Sequence, residues 1–247
     1  MKPVRLIGID CAVDPANTGL CVADYADDLL IVEEARSGVD REPAEIAADW
    51  VYEGPFLLGL DAPLGWPVSL GDSLVEHRAG DPLDLSANRL FRRFADDYTA
   101  ETIGKRPMDV GADRIARTAH AALSLLGELR RRSGLPLPLG WKPGEAPTGE
   151  VLETYPAAWL TVAGLPAKAY KKRDQRSVRE EILSGLPEWV HLACGNSAFL
   201  DDADLLDALL CLLVYVAYLK GLVRRPPADK AELIRREGWI WVPSAIG

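Results

Sequence analysis

The chain has 247 residues, of which 48% are hydrophobic and 26% are charged, and its formal net charge is −9 at pH 7. This composition predicts a globular protein with a sizeable core and argues against a strongly basic nucleic-acid-binding module. The longest apolar run, residues 208–219, is too short to span a bilayer, so we expect a cytoplasmic protein with no membrane partner. The three histidines and four cysteines form no zinc-ligand pattern.

The first part of the chain predicts an antiparallel meander, a helix and a central strand. Apolar and β-branched runs predict strands at residues 4–10, 20–25 and 29–35, with turn-forming residues between them. Residues 42–52 predict an amphipathic helix, and the apolar residues 56–60 predict a strand in the middle of a sheet. The resulting order is β-β-β-α-β.

The rest of the chain is dominated by helices. Residues 66–110 are largely irregular and polar, and they predict an inserted cap or lid after the fourth strand. Residues 111–132 predict a long helix, residues 151–155 a short strand, and residues 204–222 a last, buried helix. Residues 238–243 predict a strand or an apolar tail that packs on the body of the protein. We therefore predict an α/β fold in a single domain over residues 1–247. Its mixed five-stranded sheet, in the order β-β-β-α-β-α-β-α, would be flanked by helices.

Acidic residues stand at the ends of several predicted core elements. Asp10 and Asp61 end two apolar strands that should be neighbours, while Glu153 follows a third apolar run. Asp204 and Asp207 lie one turn apart at the start of the last helix. Ligands of open sheets bind where strand ends and helix starts converge, so we expect a carboxylate cluster suited to Mg²⁺ or Mn²⁺. Each acid alone would also fit a turn or a helix cap.

Basic residues are concentrated in two parts of this acidic chain. Residues 89–142 contain eleven Lys and Arg against six Asp and Glu, and residues 168–181 contain six against three. These segments would form a locally basic face, although solvated helix faces and surface ion pairs explain the same pattern. The candidates for contact with substrate phosphate are Arg89, Arg106, Arg114 and Lys171.

Several short motifs occur in an order that resembles a known family. They are Gly8-Ile9-Asp10-Cys11-Ala12, Leu60-Asp61-Ala62-Pro63-Leu64-Gly65, Glu153-Thr154-Tyr155-Pro156-Ala157, Tyr170-Lys171 and Asp204-Leu205-Leu206-Asp207. Together they resemble a bacterial and archaeal family of predicted nucleases with a ribonuclease-H-like fold, catalogued as a domain of unknown function. The resemblance implies acidic residues on the first strand, on the fourth strand and on the last helix.

The same resemblance implies a metal-dependent nuclease that hydrolyses phosphodiester bonds of nucleic acid. The implied ligands of two Mg²⁺ or Mn²⁺ ions are Asp10, Asp61, Asp204 and Asp207, and the implied catalytic set adds Glu153 and Lys171. One ion would activate a water molecule and the other would stabilise the leaving oxygen. A homodimer is compatible with this interpretation, because the junction resolvases of the wider superfamily are dimers.

Two other functions are compatible with the same residues. A small ATP-dependent kinase of the actin-like or sugar-kinase lineage also begins with a strand, an acid and a polar turn, which Asp10 and residues 14–19 would supply. Such kinases usually need two related domains, and the sequence contains no clear second copy of the meander. A non-catalytic binding module on the same fold is the other alternative. Divalent-metal binding distinguishes it from a nuclease, because a pure interaction module needs no metal.

Overall fold

One mixed sheet forms the centre of the computed structural model, which describes residues 3–39, 41–111 and 113–245. Its strands within those residues are β1 (Val4–Asp10), β2 (Gly19–Ala26), β3 (Leu29–Ser37), β4 (Phe56–Asp61), β5 (Glu150–Thr154), β6 (Val190–Leu192) and β7 (Ile240–Trp241). Their order across the sheet is β6-β3-β2-β1-β4-β5-β7. The β1–β2 and β2–β3 pairs are antiparallel, and every other pair is parallel.

Helices cover both faces of this sheet. They are α1 (Pro43–Trp50), α2 (Val68–Leu74), α3 (Ala87–Phe91), α4 (Phe94–Ile103), α5 (Asp113–Ser133), α6 (Pro156–Val162), α7 (Arg176–Ser184), α8 (Ser197–Asp201), α9 (Ala203–Leu219) and α10 (Ala231–Glu237). Helices α1 and α5 share one hydrophobic core with the sheet, whereas α9 and α6 share the core on the other face. Among the helices of the described residues, none combines the length and the apolar content needed to cross a membrane.

The predicted α/β class with a mixed, helix-flanked sheet is confirmed, but the predicted number of five strands is wrong. The five predicted strands correspond to β1–β5, and β6 and β7 extend the two edges of the sheet. These edge strands have three and two residues. Strand β7 lies within residues 238–243, for which the sequence predicts a strand or an apolar tail, whereas β6 shows no periodicity and cannot be recognised alone. Residues 66–110, predicted as a cap or lid, contain α2, α3 and α4.

Helix α9 lies directly against the sheet because glycines face it. A Cβ atom on Gly8 of β1 would lie 2.1 Å from the carbonyl oxygen of Ala208. A Cβ atom on Gly19 of β2 would lie 2.2 Å from the carbonyl oxygen of Asp204. Glycine in a strand allows another backbone to approach this closely. The first turns of α9 are therefore fixed over the ends of β1 and β2.

Strand alternation determines which residues of the sheet face α9. Leu6 packs in the core on the α9 side, whereas Ile7 and Ile9 pack in the core with α1 and α5. Asp10 is in phase with Leu6, so its side chain is directed to the α9 face. In the parallel β1–β4 pair Asp10 lies opposite Asp61. The two carboxylates therefore emerge side by side under α9.

The contact between Gly8 and α9 can be tested by adding one methyl group. Gly8→Ala is expected to lower the free energy of unfolding by about 1–3 kcal/mol, because the new Cβ meets a backbone oxygen that moves only with the helix. Gly127→Ala is the matched control. Gly127 lies inside α5 with nothing within 4 Å of an added Cβ, and alanine should stabilise the helix by up to about 1 kcal/mol. Denaturant unfolding measures both variants, and equal stabilities would contradict the contact.

Candidate metal centre

Three carboxylates converge at the carboxyl ends of β1 and β4. Asp10, Asp61 and Asp207 each offer one oxygen, and these oxygens all lie within 4.8 Å of one another. The register of the strands places the first two acids side by side, and the close approach of α9 brings Asp207 onto them. Asp207 is fully buried and Asp10 is 7% exposed. The structure thus brings together three of the four acids that the sequence predicted as metal ligands.

The fourth predicted ligand, Asp204, lies beside this group, and its carboxyl is hydrogen-bonded to that of Asp10, but it is not one of the three acids whose oxygens all lie within 4.8 Å of one another. It occupies the first turn of α9 and is half-buried. Burial is the main cause that raises the pKa of the Asp204 carboxyl, and Lys171 opposes the rise. The capping role considered for Asp204 belongs to Asp202, whose Oδ1 accepts from the backbone N–H groups of Asp204 at 2.9 Å and Leu205 at 3.4 Å. The Asp204 side chain is therefore not used for capping.

The segment before α7 presents a lysine and a tyrosine to the carboxylates. Lys171 Nζ forms an ion pair with Asp207 and lies 3.5 Å from Asp10 Oδ2. The Tyr170 hydroxyl donates to Asp207 Oδ1 at 2.7 Å. Lys171, which the sequence predicted as a phosphate contact, is therefore also the counter-ion of the carboxylate group.

Arg179 holds this segment in place, and sequence reasoning did not single it out. Its guanidinium is buried and donates to the carbonyl oxygens of Tyr170 at 2.6 Å, Lys172 at 2.9 Å and Leu200 at 2.7 Å. These bonds fix the backbone on both sides of Lys171. The sequence pattern could have indicated this role, because Arg179 lies three residues before Ile182 and so shares the buried face of the amphipathic helix α7.

Burial and like charge perturb the ionisation of the whole group. Burial raises the pKa of Asp10 well above its usual range; Lys171 opposes this effect, and Asp207 and Asp61 add to it. Burial likewise raises the pKa of Asp61 to about 7. Burial alone would lower the pKa of Lys171, but the surrounding carboxylates raise it. One ammonium thus faces three carboxylates, and this excess of negative charge favours binding of a further cation.

The carboxylate of Glu153 is directed elsewhere. The next residue, Thr154, donates from Oγ1 to Cys211 Sγ in α9, so strand alternation turns Glu153 away from α9. Its Oε1 and Oε2 accept from the Arg93 guanidinium at 2.6 and 2.8 Å, and Oε2 also accepts from the backbone N–H of Leu64 at 2.9 Å. Glu153 therefore anchors the loop after β4 and lies outside the group of clustered oxygens.

A buried ionic network fastens residues 66–110 to the rest of the molecule. Arg93 pairs with Glu153 and also with Asp96, whose Oδ1 lies 2.8 Å from Nη2. Glu237 of α10 accepts from the first backbone N–H groups of α2 and α4, each at 2.8 Å. All four of these charged side chains are buried. The network fixes α2 and α4 against β5 and α10.

Of the three arginines predicted to contact phosphate, only Arg106 lies near the acids within the described residues. A cavity of about 590 Å³ is lined by Asp10, Asp61, Lys171 and Arg106, by the paired Arg93 and Glu153, and by further polar and apolar residues. Arg89 and Arg114 are exposed and do not belong to the described lining of this cavity. A larger groove of about 1160 Å³ lies between α5 and the β1–β2 loop, away from the carboxylates.

Comparison with known proteins gives a family but no activity. Residues 8–232 match the model of a family described as "Protein of unknown function (DUF429)". No curated protein and no solved structure matches the chain. The matched range contains every acidic and basic residue discussed above except Glu237. The chemistry of the site must therefore be argued from its own residues.

The buried network can be tested through Arg93. Arg93→Met is expected to lower the free energy of unfolding by about 3–5 kcal/mol, because two carboxylates would stay buried without their counter-charge. Arg117→Met is the control, since the Arg117 side chain is 73% exposed and its pair with Asp113 contributes less than about 1 kcal/mol. Urea denaturation compares the two variants. A loss at Arg93 no larger than the loss at Arg117 would contradict a structural role for the network.

Proposed function

The chain belongs to the DUF429 family, and we propose that it is a metal-dependent phosphodiester hydrolase that acts on nucleic acid. The observation that carries the proposal is the group of three carboxylate oxygens within 4.8 Å of one another, on Asp10, Asp61 and Asp207. Hydrolases of phosphodiesters use such groups to bind divalent metal ions beside the scissile phosphate. A basic residue, Lys171, stands at the same place.

The topology supports the ribonuclease-H-like fold that belongs to this proposal. An antiparallel β1-β2-β3 meander lies on one side of β1, and β4 and β5 continue in parallel on the other. This arrangement agrees with the β-β-β-α-β order that the sequence pattern predicts. The three acids lie on β1, on β4 and on α9, the last long helix. The extra strands β6 and β7 extend the edges and leave the acidic end of β1 and β4 unchanged.

The donor set fits Mg²⁺ or Mn²⁺, both of which take hard oxygen ligands. Asp10, Asp61 and Asp207 would hold the metal, and the proposal places Asp204 at a second ion beside them. When bound, the metal would activate a water molecule and stabilise the leaving oxygen of the phosphodiester. Burial first and neighbouring carboxylates second raise the pKa values of Asp10 and Asp61, and a bound cation would offset both effects, which supports a cation here.

The protein's own residues would orient the ligands and bind phosphate. Tyr170 donates to Oδ1 of Asp207 and so fixes the rotation of that carboxylate, with Oδ2 towards Lys171. The Lys171 side chain is 51% exposed and lines the cavity, so its ammonium can also reach a phosphate oxygen placed there. Arg179 keeps the backbone of both residues in position. A role for Glu153 as a base would require it to leave Arg93, so we assign it to positioning the loop after β4.

Binding of Mg²⁺ or Mn²⁺ is expected to weaken as the pH falls below about 7. The pKa of Asp61 is raised to about 7, so below that pH a proton occupies the carboxyl group and must leave when the metal binds. Because the pKa of Asp10 is raised as well, the affinity should fall by about tenfold per pH unit for each proton that the metal displaces. Calorimetry in buffers of different ionisation enthalpy measures both the affinity and the proton release.

The control for this titration is the double variant Asp10→Asn/Asp207→Asn, which should bind no metal because two of the three donors lose their charge. An affinity that stays constant between pH 5 and 8 would contradict the protonation of the group. Absence of metal binding by the wild type, both alone and with a phosphodiester present, would remove the basis of the hydrolase proposal.

Asp10→Asn is expected to abolish metal-dependent cleavage while the fold stays intact, because the amide keeps the shape of the carboxylate but not its charge. Hydrolysis of a labelled phosphodiester measures activity, and thermal unfolding followed by circular dichroism checks the fold. Asp229→Asn is the control, since the Asp229 side chain is 74% exposed and far from the cluster in sequence. Wild-type turnover by the Asp10 variant would refute the proposal.

A further inference from the structure

We propose that the site takes an unpaired nucleotide unit, supplied by a dinucleotide or by a single strand, and rejects the interior of a duplex. This inference rests on the proposed function and defines its substrate class. It is carried by the size of the cavity over the carboxylates, by the contacts that join its walls, and by the chemistry of its lining.

The cavity has the size of a small-ligand site. Its volume is about 590 Å³, and Asp10, Asp61 and Lys171 form part of its wall. Sites for small molecules enclose roughly 300–1,000 Å³. A nucleotide held in a stacked duplex can fill such a cavity only after it has left the stack, and this step costs free energy that an unpaired nucleotide does not need.

The cavity cannot widen freely, because two of its walls are joined by hydrogen bonds. Residues 105–108 follow α4 and residues 167–171 precede α7, and both segments line the cavity. Lys105 Nζ donates to the carbonyl oxygen of Ala167 at 3.0 Å. A third lining residue, Tyr155, donates from its hydroxyl to the carbonyl oxygen of Arg106 at 3.3 Å. Separation of the walls to admit a duplex would break these bonds.

The wall formed by residues 167–171 is itself fixed by its backbone contacts. Arg179 donates to the carbonyl oxygens of Tyr170 and Lys172, and the Tyr170 hydroxyl is bonded to Asp207. Ala169 has a φ of 68°, a conformation that a residue other than glycine keeps only when its surroundings hold it. The wall is thus a built part of the site, and its conformation presents Lys171 to the carboxylates.

The lining offers one set of groups for a phosphate and another for a base. Lys168 and Lys171 stand on one wall, and Lys105 and Arg106, the latter paired with Asp97, stand on the other. Apolar atoms come from Pro63, Pro107, Met108 and Ile115. The Met108 side chain is 66% exposed beside this cavity, and a flexible thioether packs readily on an aromatic ring. A nucleotide has both an anionic and a flat apolar part, so it matches this division.

The test compares a dinucleotide, a single-stranded oligonucleotide and the blunt duplex of the same sequence. Binding is measured by calorimetry with Ca²⁺, and cleavage is measured separately with Mg²⁺ or Mn²⁺. We expect the dinucleotide and the single strand each to bind at least about tenfold more tightly than the duplex. If the dinucleotide and the single-stranded oligonucleotide bind with equal affinity, the cavity holds the whole recognition unit. If the oligonucleotide binds more tightly, it makes additional contacts outside the cavity. Both results agree with the proposal.

Two variants with matched controls connect the preference to the cavity. Met108→Ala should weaken dinucleotide binding about three- to tenfold, whereas Val39→Ala, which removes an apolar side chain of similar exposure (65%) outside the described lining, should not. Lys105→Ala removes the bond to Ala167 and should reduce the preference for the single strand over the duplex. Lys142→Ala, at a lysine that is 71% exposed and pairs with Glu145, should leave that preference unchanged.

The outcomes separate this inference from the proposed function. A duplex that is bound and cut as well as the single strand would overturn the substrate inference and leave the hydrolase proposal intact. Failure of the dinucleotide and the single strand to bind would also overturn the inference. Preferential binding of unpaired nucleotides with no metal-dependent cleavage of any ligand would support the inference and overturn the hydrolase proposal.

Discussion

The contact between α9 and the glycine-bearing face of the sheet determines where the site can form. Gly8 and Gly19 let the backbone of α9 touch the strands, with no side chain between them. A larger residue at either position would lift the helix and move Asp207 away from Asp10 and Asp61. The same contact buries Asp207 completely, which makes its charge costly without a partner. The site is thus a consequence of tight packing, and its electrostatics follow from that packing.

Two buried ionic groups lie close to each other in this fold; each has one cation and three carboxylates, but they differ in how the carboxylates are satisfied. In one, the Arg93 guanidinium forms paired hydrogen bonds with Glu153 and a further ion pair with Asp96, so both carboxylates are directly satisfied. In the other, a single lysine faces three carboxylates, and the pKa values of Asp10 and Asp61 are raised. The first arrangement is typical of a structural contact that holds elements of the fold together. In the second, the burial of Asp10 and Asp61 is not fully compensated, as their raised pKa values indicate, and a bound cation would compensate it.

Sequence reasoning located the acids whose position depends on the ends of elements. Asp10 and Asp61 end long apolar runs, and these runs specify strands by themselves. Glu153 also follows an apolar run, but its role depends on which face it occupies, and a shift of one residue along a strand reverses that face. Arg93 could not be recognised, because its partner Glu153 is 60 residues away in sequence. Position within an element is therefore readable from sequence, whereas register and long-range pairing are not.

Charge and geometry together favour a small recognition unit. The net charge of −9 repels a long polyanion, so attraction must come from the few cations that line the cavity. At physiological salt the Debye length is about 8 Å, so these cations attract only the few phosphates that lie close to them. Each phosphate contact makes the slope of log K against log salt concentration more negative by about 0.7–0.9. A site with few phosphate contacts should therefore lose little affinity as the salt concentration rises. An acidic protein with a short cationic wall is thus suited to one or two nucleotides at a time, and the limited volume over Asp10 and Asp61 imposes the same restriction sterically.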